Sequence, residues 1–253
     1  MDKRLEGKVS LITGGSRGLG KAMAIAFAKQ GAKAVAITYV TNEESARKTC
    51  QEITSYGCTA YMNHVEVTKR ESIKHWLKHI SVVEGQIDVL VNNAGINRAG
   101  PLDTVTEEDW DEIMAVNLKG PFLVSQEVLP MMVGTGGGRI INIASVSGLY
   151  GGSTTAHYAA SKAGLISLTQ VLARWGADHN ILVNSISPGI IETDLTREEL
   201  RTGGGKNVVG LTLLKRPGQV EDVASIAVML ASDEQNYMTG QTISPNGGSY
   251  FAD

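Results

Sequence analysis

Lys8-Val-Ser-Leu-Ile12, Thr13-Gly-Gly-Ser-Arg-Gly-Leu-Gly20 and Lys21-Ala-Met-Ala-Ile-Ala-Phe-Ala-Lys29 follow one another without a break near the start of the chain. The first piece is an apolar run of strand length, the second a glycine-rich turn, and the third has helical spacing. In that succession backbone N–H groups can approach a pyrophosphate, and the helix dipole favours its charge. The stretch therefore reads as a dinucleotide-binding βα unit, with Gly14, Ser16, Arg17, Gly18, Leu19 and Gly20 as its candidate contacts. Its glycines depart from the G-x-G-x-x-G spacing, so taken alone it also fits an ordinary βα turn.

Working outward, Ala34-Val-Ala-Ile-Thr38 is the expected second strand, and Thr41 with Glu44 would form a capping box for the next helix. Dinucleotide folds read the ribose at this strand end: a carboxylate binds the 2′-OH, whereas a 2′-phosphate needs that acid absent and a cation near. Thr38 stands at the strand end and Arg17 in the glycine loop, so the pattern favours NADP(H); a solvated surface arginine is the plainer reading of Arg17. A third strand from Thr59 to about Val65 ends in Glu66-Val67, and Thr68 with Glu71 would cap the helix that follows. The fourth, Ile87-Asp-Val-Leu-Val91, runs into Asn92-Asn93-Ala94-Gly95, a turn suited to holding two strand ends beneath a cofactor. Four alternations of strand and helix argue for an α/β fold with a doubly wound parallel sheet. Arg139 to Ile143, Ile181 to Ile186 and Gln241 to Ser244 bring the expected count to seven strands in one domain spanning 1–253.

The chemistry gathers after the fifth strand. Ser145 follows it directly, at the sheet end where open α/β folds bind ligands. Tyr158 and Lys162 are four apart in a helical stretch, so their side chains share a face. An ammonium about 4 Å from a phenol would favour the phenolate by roughly 4 kcal/mol at an effective dielectric of about 20, making the phenol a usable acid or base. The bland alternative is a helix with Tyr and Lys at its surface. Asn117, inside the helix expected from Glu107 to Met132, is poorly suited to a helix interior and points to a kink, a buried water or a solvent-facing residue.

Composition narrows the function classes. The chain has 253 residues, 42% of them hydrophobic, and a formal net charge of −3. That charge and the absence of any basic run argue against nucleic acid as a partner. No apolar run reaches membrane-spanning length, and MDKRLEGKVS lacks the apolar core of a signal peptide, so a cytoplasmic protein with no membrane partner is expected. Cys50 and Cys58 have no Cys or His array at metal spacing around them; they read as structural thiols, with no metal site expected.

With these pieces in order, the chain resembles the short-chain dehydrogenase/reductase family over nearly its whole length. The resemblance rests on Thr-Gly-x-x-x-Gly-x-Gly at 13–20, Asn92-Asn-Ala-Gly95, Asn117, Ser145, Tyr158-x-x-x-Lys162, and Pro188-Gly189 followed by Thr193. It implies that Tyr158 transfers the proton and Ser145 orients the carbonyl. It further implies that Lys162 tunes Tyr158 and holds the nicotinamide ribose, while Asn117 keeps a water in the proton path. It also implies that Asn93 lies beneath the cofactor, that Ile191 and Thr193 meet the nicotinamide carboxamide, and that Glu66-Val67 flanks the adenine. Relatives usually have Asp where Glu66 stands.

Within the family the chain is most similar in look to the 3-oxoacyl carrier-protein reductases. It departs from them at the arginines on which those enzymes dock an acidic carrier: Val133-Gly-Thr-Gly-Gly-Gly138 and Asp178-His-Asn180 occupy those places. The expected activity is NADP(H)-dependent reduction of a ketone to a secondary alcohol, on an acyl carrier protein or coenzyme A thioester or on a free ketone such as a sugar, polyol, steroid or secondary metabolite. A non-catalytic dinucleotide sensor is the alternative of another class. The charged, glycine-rich segment within 194–216 is expected to be a mobile lid. Tyr150, Thr154 and His157 are expected around the substrate. The resemblance implies a homotetramer built on the helices bearing Met114, Leu118, Phe122 and Leu129 and bearing Leu165, Leu168, Leu172 and Trp175.

Overall fold

The computed structural model describes residues 3–152, 154–193, 196, 197, 200 and 209–251. Seven parallel strands form one sheet in the order β3-β2-β1-β4-β5-β6-β7. They are β1 (Val9–Ile12), β2 (Ala34–Tyr39), β3 (Thr59–His64), β4 (Val89–Asn92), β5 (Gly138–Ile143), β6 (Ile181–Ile186) and β7 (Thr242–Ile243). Every residue of β1 and β4 is buried, as expected where helices cover both faces of a parallel sheet.

On one face α1 (Gly18–Lys29) and α8 (Val220–Ala231) pack Met23, Phe27, Val223 and Leu230 onto the sheet. On the other, α3 (Arg70–Glu84), α5 (Gly120–Gly134) and α7 (Ala156–Ala177) contribute Trp76, Ile80, Val124, Val128 and Leu172. The remaining helices are α2 (Glu43–Thr54), α4 (Glu107–Met114) and the short α6 (Ser147–Tyr150). No helix among the described residues is long and apolar enough to cross a membrane.

Several local expectations change. The cap of α2 is Asn42, whose Oδ1 accepts from Ser45 N–H, and not Thr41 with Glu44. The helix after β3 starts behind Lys69 without a side-chain cap; Ser72 Oγ instead accepts from Glu66 N–H. β2 runs one residue past Thr38 to Tyr39, and β7 is two residues long. The helix expected from Glu107 to Met132 is divided by a π-helical turn at Ala115–Lys119. Pro121, in the first turn of α5, has no N–H to give the carbonyl of Asn117 four residues back, which forces the regular ladder to break there.

Leu129, Leu165 and Leu172 prove to be core residues, while Phe122, Val171 and Trp175 remain exposed. Both cysteines are free, and burial pushes each thiol up to about 11, which suits structural thiols. The lid expected over 194–216 lies mostly outside the described residues.

Candidate active site

β1 pairs with β2 on one side and β4 on the other, so the strand order runs out in opposite directions from β1. The crevice above the C-terminal ends of β1 and β4 is where such sheets bind ligands. Here the glycine loop is fastened from below. Gly14 N–H donates to Thr38 Oγ1 and Gly15 N–H to the Thr38 carbonyl, each at 3.0 Å. Asn93 Nδ2 donates to the Thr13 and Gly14 carbonyls, also at 3.0 Å, and the N–H groups of Asn93 and Ala94 donate to Thr13 Oγ1.

Gly14 has φ +65°, and a Cβ on Gly20 would lie 2.3 Å from Gly14 O and 2.6 Å from Asn93 Nδ2. Only glycine lets the backbone come this close. Arg17 precedes α1 without capping it, so the orphan N–H groups of the first turn face the crevice with an exposed guanidinium beside them. Those features fit the pyrophosphate of a dinucleotide.

The four candidate catalytic residues converge at the ends of β4 and β5. Ser145 and Lys162 are buried and Tyr158 is half-buried. Ser145 is near enough to the Tyr158 phenol to favour its ionised form, and its Oγ accepts from Ser147 N–H at 3.1 Å. Lys162 Nζ lies 5.5 Å from the centroid of the Tyr158 ring and donates to the Ile143 carbonyl at 2.7 Å.

The electrostatics differ from the expected lowering of the phenol. Burial raises Tyr158, and the nearby Ser145 offsets only part of this. Burial also lowers the Lys162 ammonium to about 8. Desolvation outweighs mutual attraction because both groups sit where water is scarce and the ammonium is turned toward a backbone carbonyl.

Asn117 is fully buried in the π-turn, and its amide clamps the loop after β4. Its Oδ1 accepts from Ile96 N–H at 2.9 Å and its Nδ2 donates to the Ile96 carbonyl at 2.8 Å. A Cβ on Gly95 would stand 3.3 Å from Asn117 Oδ1 and 3.5 Å from Lys162 Nζ, which places both groups on one side of that loop.

Other named residues take up different parts. Thr193 Cγ2 faces Gly18 at 3.9 Å from where a Cβ there would stand, joining the end of the chain's sixth-strand loop to the phosphate turn. The Thr193 N–H and hydroxyl are both engaged with Thr196 Oγ1, while Ile191 is buried. Thr38 is buried and its side chain supports the glycine loop, so Tyr39 and not Thr38 ends β2. Glu66 is paired with Lys69 at 2.9 Å and Val67 packs into the core against Gly120, while the Glu66 N–H and carbonyl are engaged by Ser72 Oγ and Lys69 N–H. Leu19 packs against the α1 face of the core, and the Ser16 carbonyl accepts from Thr49 Oγ1. Among the described residues no group of three or more His, Cys, Asp or Glu is placed to hold a metal.

Two supporting features were missed in the sequence. Ser161 links the site together: its hydroxyl accepts from Asn117 Nδ2 at 3.2 Å and donates to the Tyr158 carbonyl at 2.7 Å. A buried polar ladder runs below, with Asn92 Nδ2 donating to Ser125 Oγ and Asn142 Oδ1, and Asn142 Nδ2 to Thr169 Oγ1. The available signal was an asparagine inside each of two otherwise apolar strands.

Residues 8–203 match the family model for short chain dehydrogenase. The chain is 42% identical over 245 residues to the 3-oxoacyl-[acyl-carrier-protein] reductase FabG of Thermotoga maritima, covering 97% of this chain and 98% of the relative. It is also 42% identical over 250 residues to the protein of that name from Vibrio cholerae, covering 98% and 99%. Among solved structures, gox2181 superposes with a TM-score of 0.94 at 32% identity, covering 98% of this chain and 97% of the other. A structure from Sinorhizobium meliloti 1021 superposes at 0.92 with 34% identity and 98% coverage of each.

Proposed function

The chain belongs to the short-chain dehydrogenase family, and within it we propose an NADP(H)-dependent reductase that converts the ketone of a 3-oxoacyl thioester or a related carbonyl compound to a secondary alcohol. The observation that carries this reading is the convergence of Asn117, Ser145, Tyr158 and Lys162 beside Gly95, at the open end of the switch-point crevice. The bound nicotinamide supplies the hydride. The rest of the chemistry falls to the chain.

Tyr158, raised by burial, holds its proton and is a proton donor to the developing alkoxide. The Ser145 hydroxyl, close to the phenol, fixes the carbonyl oxygen beside it. Lys162 brings a positive charge to the phenol's side of the pocket and a donor for the nicotinamide ribose. Asn117 holds the Gly95–Ile96 turn that closes the opposite side.

The cofactor would lie with its pyrophosphate on the loop from Gly14 to Gly20 and its nicotinamide near Ile191 and Thr193. Preference for the 2′-phosphate is supported by the exposed Arg17 and by Tyr39 ending β2 where an acid would read a 2′-OH. A carrier-bound 3-oxoacyl chain is supported by the names of the relatives from Thermotoga maritima and Vibrio cholerae.

A free ketone or coenzyme A thioester is favoured by a different observation. Where carrier-docking arginines are expected, Asn180 Nδ2 donates to the Gly136 carbonyl and Trp175 stacks on His179. We further propose a cytoplasmic location and a homotetramer, the latter supported by the hollow of about 530 Å³ lined by Met114, Leu118, Phe122 and Leu168. The test is spectrophotometric. Oxidation of NADPH on adding a 3-oxo ester or thioester is expected; binding of NADPH without turnover of any carbonyl would favour the sensor.

A further inference from the structure

Beside the Ser145 end of the site lies a second surface, made by residues with no part in proton transfer. α6 begins two residues after Ser145 and is pressed onto α7: a Cβ on Gly148 would come within 2.7 Å of the Lys162 backbone. Its last residue is Tyr150. On the other side, the segment after β7 is fixed to the Pro188–Gly189 turn, where Gly189 N–H donates to the Pro245 carbonyl at 3.0 Å. Asn246 Nδ2 then donates to the Tyr250 carbonyl at 2.7 Å, while its Oδ1 accepts from the N–H groups of Gly248 and Ser249.

The Tyr150 and Tyr250 rings meet with centroids 5.7 Å apart and planes tilted by 40°. That contact joins the loop carrying Ser145 to the turn leading to Ile191 and Thr193. Tyr150 stays 55% exposed, so aromatic surface remains for another molecule. Leu213, whose side chain packs against Gly248, continues the apolar surface. Neither 144–158 nor 242–251 contains an Asp, Glu, Lys or Arg, so the two stretches that carry the rings bring no carboxylate, ammonium or guanidinium of their own.

We propose that Tyr150 and Tyr250 are the specificity-determining pair of this site, favouring a ketone whose substituent is flat, apolar and uncharged, an aryl or conjugated group, over a short aliphatic one. The inference rests on the reductase reading and narrows its substrate class. Offset or edge contact with an aromatic ring contributes about two- to tenfold in affinity beyond simple area burial.

The test compares kcat/KM for ethyl benzoylacetate and ethyl acetoacetate with NADPH, in the parent and in Tyr150→Ala, Tyr250→Ala and Tyr250→Phe. The parent should prefer the aryl ester, and Tyr150→Ala should lower the aryl-to-aliphatic ratio by about two- to tenfold. Tyr250→Phe, which keeps the ring, should retain the ratio even if Tyr250→Ala disturbs the C-terminal segment. An unchanged ratio in Tyr150→Ala, with both esters still turned over, would overturn the inference and leave the reductase reading standing. Turnover of another carbonyl compound but of neither ester would overturn the inference alone, and no turnover of any carbonyl by the parent would remove both.

Discussion

Lys162 Nζ donates to the carbonyl of Ile143 at 2.7 Å, anchoring the buried ammonium to the end of β5 beneath the Tyr158 side chain. A single hydrogen bond to a neutral carbonyl does not replace the hydration of an ammonium, and so the proton is held loosely.

The first prediction concerns that proton. Lys162 titrates at about 8 in the folded chain, against an ordinary lysine value of 10.5. Between these values the unfolded chain binds more protons than the folded one, so unfolding free energy rises with pH across the window. The burial penalty is fully present below pH 8 and relieved by pH 10.5. Relative to Lys162→Met, the parent should gain roughly 3 kcal/mol over that span, from about 1.4 kcal/mol per pKa unit. Urea unfolding of both proteins at several pH values measures it; parallel stability curves would refute it.

A second prediction concerns the cofactor. Arg17→Ala should weaken NADPH binding by about tenfold to a hundredfold, the weight of a charge-assisted phosphate contact, and leave NADH nearly unaffected. Titration calorimetry with each dinucleotide gives the answer. Equal affinity of the parent for both would contradict the assignment of Arg17.

Assembly supplies a third. Phe122 is 41% exposed on the wall of the hollow between α4, α5 and α7. Phe122→Glu should break the tetramer into smaller species and depress turnover with it, because α7 carries Tyr158 and Lys162. Light scattering at micromolar concentration should show the tetramer for the parent; an active parent monomer would rule this out.

Much of this architecture could be read from the chain because parallel strands are continuous apolar runs and their helices follow at regular intervals. The buried strands β1, β2, β4, β5 and β6 were legible for that reason, whereas β3 and β7, only partly buried, were placed by the alternation around them. Individual caps were less legible: Asn42 and Thr41 are both competent, and only the path of the chain into α2 selects Asn42. A kink was one of several readings that Asn117 left open, and the π-helical turn found there goes with Pro121, four residues on. Spacing could put Lys162 on the same face as Tyr158 and could not show that the Ile143 carbonyl captures the ammonium. Ser161 was hidden because a serine inside a helix has no pattern of its own until its partners are known. Likewise Thr38 could be placed near a strand end, whereas the direction of its hydroxyl, into the Gly14 N–H, depends on the loop above it.

The central claim is that Tyr158 gives the proton, and Tyr158→Phe tests it most directly. The ring still packs, so the fold and the affinity for NADPH should persist, while kcat for ketone reduction should fall by at least the roughly 10² to 10⁴ typical of positioned acid–base catalysis. The measurement is steady-state NADPH oxidation by parent and variant, with NADPH affinity determined alongside. A loss of that size with unchanged affinity is the predicted result; a variant turning over within about threefold of the parent, too small a change for that contribution, would contradict it.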